Sequence, residues 1–462
     1  MGIDSFSKIV KIFYMKYLWM LLSICLVACN TTKSVVKRQD DAQKIKGYQK
    51  YNPVTGKYEW VSEDPEMKKD SIDLAELQKK NAAKAAAKAD KGFNRAIKVA
   101  LILPFYADQS KEGEAIYAKS KWAINFYGGV QLALDTLSQK GISVDLRVLD
   151  DKASEAELQK MLLFEDVKNA DLIIGPAGKA NLKIAANFAK TKGIPLVSPY
   201  SSNDDITTNN PYFIQLNPSL KSHCERIIED VYTHHKNPNL TIISRNKPTE
   251  TATYEYFTNH INKIYSNNLT TRKISVDEEL VGISKTDFSN IIVPNRQNVI
   301  LIPSWSNEAF LSALLQKIES LRKGSEVYVY GMPQWVGFEL LSMELLDKLQ
   351  VKITTVNPFE VNKAQAKVFK KKYFQKFSGL AEEEALLGFD LTFLLVELLH
   401  KYGKEMISHL DAKKLNGIAT TYDFDQVTSS TLDKVNPKTV QRYENKSIYI
   451  LKSEQGVYEI KE

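Results

Sequence analysis

Cysteine is nearly missing from this chain: Cys25, Cys29 and Cys224 are the three in 462 residues. Cys25 falls inside an apolar leader and Cys29 at its end, so Cys224 is left without a disulfide partner. A core of this size needs no disulfide, and Cys224 reads as a small buried apolar side chain. Net charge is also missing where it would matter most. Residues 1–28 hold three Lys against one Asp, residues 30–95 hold 15 Lys/Arg against 10 Asp/Glu, and residues 96–462 hold 44 of each. A neutral body lacks the phosphate-neutralising patch of a nucleic-acid binder. Catalytic and cofactor signatures are scarce as well. No P-loop occurs, and the turn after Ile97–Leu103 is Pro104-Phe105-Tyr106 rather than a glycine-rich phosphate cradle. The six histidines include no HExxH or HxxxH pair, which argues against a zinc site. Asp150 and Asp151 are neighbours at a strand end and splay to opposite sides, so they do not share one substrate atom. Ser198 has no GxSxG context. Asp423-Phe424-Asp425 and Glu382-Glu383-Glu384 read as solvated turn and helix-start charges. The expectation is no enzyme, no metal and no cofactor.

What is present begins with an address. Leu18 to Ala28 is apolar apart from Ser23, follows Lys8, Lys11 and Lys16, and ends in Leu26-Val27-Ala28-Cys29. Eleven residues suit a signal-peptide core and are too few for a permanent span. The ending resembles a bacterial lipobox, which implies cleavage after residue 28 and acylation of Cys29; the alternative is an uncleaved anchor with a chance cysteine. Several acyl chains give stable membrane attachment. Asn30 in place of Asp favours the outer membrane by analogy with lipoprotein sorting. Met15 opens a compact leader of the usual shape, so either Met1 or Met15 serves as the start.

Residues 29–95 form a basic polar linker. Tyr48, Tyr51, Tyr58 and Trp60 flank the turn signal Asn52-Pro53-Val54-Thr55-Gly56, which predicts a short hairpin. It reads as an edge decoration, or else as an aromatic contact for a partner or glycan. Asp73 to Lys91, rich in Ala, Lys and Glu, predicts a semi-rigid helical spacer.

From Ile97 onward the periodicity changes to alternating strands and helices. Ile97–Leu103 is a nearly unbroken apolar run, as in a strand buried on both faces. Helix (122–137), strand (142–149), helix (155–164), strand (172–174), helix (181–190) and strand (194–197) follow. A second series runs through strands at 240–243, 272–276, 298–302, 326–330 and 351–356, with helices at 220–232, 251–265 and 308–321. Two long helices (364–377 and 382–402) and β-like runs (448–451 and 457–460) end the chain. The expected fold class is α/β: two doubly wound, Rossmann-like lobes with an interlobe cleft. The first lobe takes about 96–217 plus parts of 357–462, the second about 218–356. In open α/β sheets ligands sit at the carboxyl ends of the strands, so the cleft is the expected site.

The order of motifs resembles the type I periplasmic-binding-protein superfamily, notably leucine/isoleucine/valine-binding proteins. Ile97 to Pro104 is similar to the opening strand of that family. Gly128-Gly129-Val130-Gln131-Leu132-Ala133-Leu134 is similar to its first helix, whose small residues are expected to pack closely on the sheet. Val148-Leu149-Asp150-Asp151, Ile174-Gly175-Pro176 and Gly193 to Pro199 resemble successive strand ends, and Leu386-Leu387-Gly388-Phe389-Asp390 resembles the late Gly-Tyr-Asp helix. The likeness covers about residues 96–460.

That resemblance implies a non-catalytic solute-binding lipoprotein for an amino acid or similar small polar molecule, closing on it by hinge motion and serving an ABC transporter. Ser198, Tyr200, Ser201 and Ser202 stand in the hydroxyl-rich loop that binds ligand in relatives; their alternative role is turn capping ahead of Asn203. Lys179 stands where relatives carry a small hydroxyl, and would pair with an anionic ligand or close the cleft. Tyr106, Trp305 and Trp335 would supply flat apolar walls or seal the lobes. No Asp or Glu is evident to hold an α-ammonium group. The other reading is an envelope interaction module of the peptidoglycan-synthase-regulator type, on a tether of up to about 200 Å, binding no small ligand.

Overall fold

The structure, a computed structural model, describes residues 47–52, 57–62, 92–109, 116–265, 269–277, 280–356, 364–428 and 439–461. The leader, Cys29 and the Asp73–Lys91 spacer lie outside the described residues. The chain divides between Lys91 and Gly92. In the N-terminal unit, β1 (Gly47–Asn52) pairs antiparallel with β2 (Lys57–Ser62), placing Tyr51 opposite Tyr58 and Gln49 opposite Trp60. This is the hairpin expected around the Asn-Pro-Val-Thr-Gly turn.

The body is built from β3 (Ile97–Leu103), α1 (Lys121–Gln139), β4 (Val144–Asp150), α2 (Glu155–Met161), β5 (Leu172–Ile174), α3 (Lys179–Lys192), β6 (Leu196–Ser198) and β7 (Phe213–Gln215). There follow α4 (Leu220–His234), β8 (Asn239–Arg245), α5 (Pro248–Ile264), β9 (Thr271–Val276), β10 (Asn298–Leu301), α6 (Glu308–Arg322), β11 (Val327–Tyr330) and β12 (Lys352–Thr355). The chain then forms α7 (Ala364–Phe377), α8 (Glu383–Tyr402), the small pair β13 (Leu415–Asn416) and β14 (Thr421–Tyr422), and β15 (Phe424–Thr428), β16 (Val440–Asn445), β17 (Tyr449–Glu454) and β18 (Val457–Lys461).

Two seven-stranded sheets result. One has the order β15-β16-β7-β6-β5-β3-β4, the other β18-β17-β12-β11-β10-β8-β9. Neighbours from β4 through β16 run parallel, as do those from β9 through β12; β15, β17 and β18 add antiparallel edges. The apolar runs are strands because both faces are covered: β3, β5, β6 and β10 are buried at nearly every residue. Helix ends obey local chemistry. Ser219 and Asn307 cap α4 and α6 by accepting N–H bonds from Ser222 and Phe310, and Gly193 closes α3 at φ +66°.

The Gly128-Gly129 pair does not face the sheet as the sequence pattern predicts. A Cβ at Gly129 would strike the carbonyl of Ala385, one at Gly388 the carbonyl of Phe126, and one at Gly128 the Tyr373 ring. The glycines therefore bring α1 against α8 and α7, which cover the first sheet. Asp423-Phe424-Asp425 is not simply a solvated turn: Phe424 and Asp425 open β15, with Phe424 buried.

Candidate functional site

The chain passes between lobes after β7, after β12 and again after β16, each time leaving from the carboxyl end of a parallel strand. The carboxyl ends of the two sheets therefore face one another. In the first sheet the winding direction reverses between β3 and β5, and in the second between β8 and β10. Crevices at such reversals are where open α/β sheets take ligands.

On the first lobe Asp150 organises the loop after β3. Its carboxylate accepts from the backbone N–H groups of Phe105 (2.8 Å), Tyr106 (3.0 Å), Ala107 (2.8 Å) and Lys152 (3.0 Å). Tyr106 is held there at φ +49°, half-buried, with its ring edge-on to Tyr117 at 5.4 Å. Burial, with the carboxylates nearby, raises its phenol pKa. Asp151 turns the other way. It is buried, accepts from Asn181 Nδ2 at 2.7 Å, and burial pushes its pKa up against that hydrogen bond. The two carboxylates thus serve separate local structures, as their adjacency implied.

Lys179 opens α3 and pairs with Asp205 at 2.9 Å, which Lys183 also reaches at 3.0 Å. Partial burial works against ionisation of Asp205, but the two lysines hold its carboxyl below the usual range. Ser198 is fully buried, and its hydroxyl accepts from Ser201 N–H at 3.3 Å. Ser201 Oγ in turn accepts from the backbone and side-chain nitrogens of Asn203, both at 3.3 Å. These two hydroxyls shape the loop from within, while Ser202 is exposed. The half-buried Tyr200 ring stands edge-on to Trp122 at 4.6 Å, and its carbonyl accepts from Asn217 at 3.1 Å, tying the loop to the first crossing. Phe105, Tyr106, Tyr117, Trp122, Tyr127 and Tyr200 together give this strand end an aromatic rim, of which the sequence pattern marked only Tyr106 and Tyr200.

The second lobe differs in kind. Trp335 was expected as a wall or seal of the cleft, yet it is 1% exposed and packed in that lobe's own core. Its indole N–H donates to Ser304 O at 2.8 Å, and Gly331 leaves the space its ring fills. Trp305 is half-buried against the same core. Between the ends of β8 and β10 lies a pair absent from the sequence reading. Arg245 Nε and N–H both donate to Glu250 at 2.6 Å, Ser304 Oγ donates to Glu250 at 2.7 Å, and Arg245 Nη2 donates to Ser306 at 2.9 Å. Both charged side chains are buried. The signal that marks Glu250 is local: Pro248 at the first position of α5 and Glu250 two residues later are helix-start chemistry. Its strand partner is not visible by spacing.

A family profile described as the receptor family ligand binding region matches residues 126–438. Among solved structures, the chain is similar to an ABC transporter substrate-binding protein from Desulfitobacterium hafniense in complex with Leu. That match has 14% identity over 79% of this chain and 100% of the other, with a TM-score of 0.50. A branched chain amino acid ABC transporter periplasmic ligand-binding protein from Burkholderia xenovorans matches with 12% identity over 79% of this chain and 94% of the other, with a TM-score of 0.52. A search of curated proteins finds no match. At these identities the structural likeness is one of fold.

Proposed function

Because the chain belongs to the receptor ligand-binding-region family and has the type I periplasmic-binding-protein fold, we propose that it is a non-catalytic binding protein holding a small polar solute between its lobes. The solute is an amino acid or a compound of similar size and polarity, passed on to an ABC permease. One observation carries this reading: the carboxyl ends of the two sheets face each other, and the first presents Tyr106 after β3, where its winding reverses, and Tyr200 with the Ser198–Ser202 loop after β6, the strand beyond β5. Half-buried aromatic rings beside the exposed Ser202 and backbone polar groups suit a small ligand with apolar and polar faces. Closure about the crossings would complete the site. The lipobox-like Leu26–Cys29 supports a lipid anchor at Cys29 and a place in the cell envelope, at the outer membrane by the Asn30 analogy.

A thermal-shift screen of the purified protein against amino acids, small amides, nucleosides and cell-wall fragments tests this. A ligand at about a hundred times its Kd adds about 2.7 kcal/mol of stability. The gain should disappear in a Tyr200→Ala, Ser202→Ala variant. A gain that survives that variant would move the site elsewhere.

The Arg245–Glu250–Ser304 cluster favours a second reading. It leaves the second lobe's strand ends with their charges paired to each other, so Glu250 is not presented as an anchor for an α-ammonium group. This arrangement suits an envelope interaction module of the peptidoglycan-synthase-regulator type, reaching its partner on the basic tether and taking no small ligand. Silence across the panel, with a cell-wall synthase recovered by crosslinking in cells, is the outcome that selects it.

A further inference from the structure

On the outer flank of the first lobe, away from the facing strand ends, a groove of about 810 Å³ runs between α1 and the helices α7 and α8. Its floor is aromatic: Phe389 stacks on Phe393 at 5.6 Å with 8° between planes, and Phe369 stands edge-on to Phe389 at 5.4 Å. Val368, 55% exposed, continues the apolar lining toward solvent. The charges around this floor are uneven. Lys376 is paired with Asp135 at 2.6 Å and Lys140 with Glu397 at 2.5 Å. The buried Asp390 carboxylate accepts from the N–H groups of Ile418 and Ala419 and from Tyr422 OH. Lys372, exposed on the groove side of α7 one turn from Val368 and Lys376, has no acidic partner among the described residues.

We propose that this groove binds a straight-chain anionic amphiphile, a medium-chain carboxylate, with its chain along Phe389 and Phe393 and its head at Lys372. The volume falls in the range of small-molecule sites, which are mostly apolar with a few placed polar groups. A concave floor between helices admits a narrow chain but not the flat face of a bilayer. The exposed Lys372 ammonium at the rim, without an acidic partner among the described residues, favours a single negative head there, adding up to about fivefold in affinity, about 1 kcal/mol, to the apolar contact.

Calorimetric titration of the purified full chain with dodecanoate below its micellar concentration tests the proposal. Saturable binding is expected, weakening about fourfold for each methylene removed. Dodecanol should bind about fivefold more weakly than dodecanoate. Lys372→Glu should weaken dodecanoate about tenfold, with Lys372→Arg restoring most of the affinity, and Val368→Trp should block the groove. Both positions are exposed, so an unchanged melting temperature should accompany the loss. Absence of saturable binding, or binding undiminished in both the Lys372→Glu and Val368→Trp variants, overturns the proposal. An affinity that falls instead with Tyr200→Ala places the amphiphile between the lobes and overturns it equally, whatever solute occupies that cleft.

Discussion

Glu444, on β16 of the first sheet, accepts hydrogen bonds at 2.9 Å from both the backbone N–H and the hydroxyl of Ser219, the cap of α4 in the second lobe. Ser222 Oγ donates to the same oxygen at 2.5 Å, Arg442 reaches the other oxygen at 2.6 Å, and Lys446 lies 3.1 Å away. One buried carboxylate thus joins the lobes beside the crossing. Burial alone would raise its pKa, but Lys446 and Arg442, with the serine donors, bring it down to about 2.

A depressed carboxyl pKa contributes stability above the unfolded value, near 4.5, and loses it as pH falls toward 2. Glu444→Gln should therefore cost about 3 kcal/mol at pH 7, since it also leaves Arg442 and Lys446 uncompensated. The difference from the parent should shrink as pH drops from about 4.5 to 2. Urea denaturation at stepped pH values measures it. A cost that stays constant over that window would show that packing, not charge, holds the crossing.

Neither Glu444 nor its strand was legible in the sequence, and the reason is physical. β16 buries Arg442, Tyr443, Glu444 and Asn445, and the charges among them are satisfied by each other and by residues over two hundred positions away. No local periodicity reports such a strand. β3, β10 and β11 were legible because apolar side chains cover both faces of a parallel sheet. The candidate site divides in the same way. Asp150 and the Ser198–Ser202 loop follow directly from strand ends, whereas the burial of Trp335 depends on the room left by Gly331 and a carbonyl at Ser304.

The Arg245–Glu250 pair should behave as a structural unit. Glu250→Ala alone removes the buried carboxylate that Arg245 Nε and N–H both reach, at about 3–5 kcal/mol, and Arg245→Ala should cost a similar amount. Replacing both, as Arg245→Met with Glu250→Leu, should recover most of the loss. A double-mutant cycle by chemical denaturation reads the coupling. Strictly additive losses would mean that the two side chains act independently and that the cluster is not what closes the end of β8.

Asp390 runs opposite to Glu444. Burial raises its pKa to about 6, only partly opposed by the N–H groups of Ile418 and Ala419 and by Tyr422 OH. A carboxyl raised in the folded state favours folding when both states are protonated, and that advantage is lost as pH rises from about 4 to 6. Asp390→Asn removes this titration. Relative to the parent, the variant should gain on the order of 2–3 kcal/mol between pH 4 and pH 7, as seen in melting curves across that range. A flat difference would mean that Asp390 stays ionised throughout.

The contact of α1 with α8 makes the sharpest steric prediction. Gly129 faces the carbonyl of Ala385 and Gly388 faces the carbonyl of Phe126, so each helix needs a glycine for the other's backbone to approach. Alanine usually strengthens a helix interior by about 1 kcal/mol over glycine. Here that gain is overrun, because a new methyl meets main chain that cannot rotate away. Gly129→Ala and Gly388→Ala should each destabilise the protein by about 2 kcal/mol or more. Gly178, the cap of α3, has φ −69° and open space where a Cβ would stand, so Gly178→Ala should change stability by less than about 1 kcal/mol. Denaturation midpoints for the three variants check the ranking. If Gly129→Ala were as mild as Gly178→Ala, the helices would have to separate at little cost, and the glycine pair would not be what sets their approach.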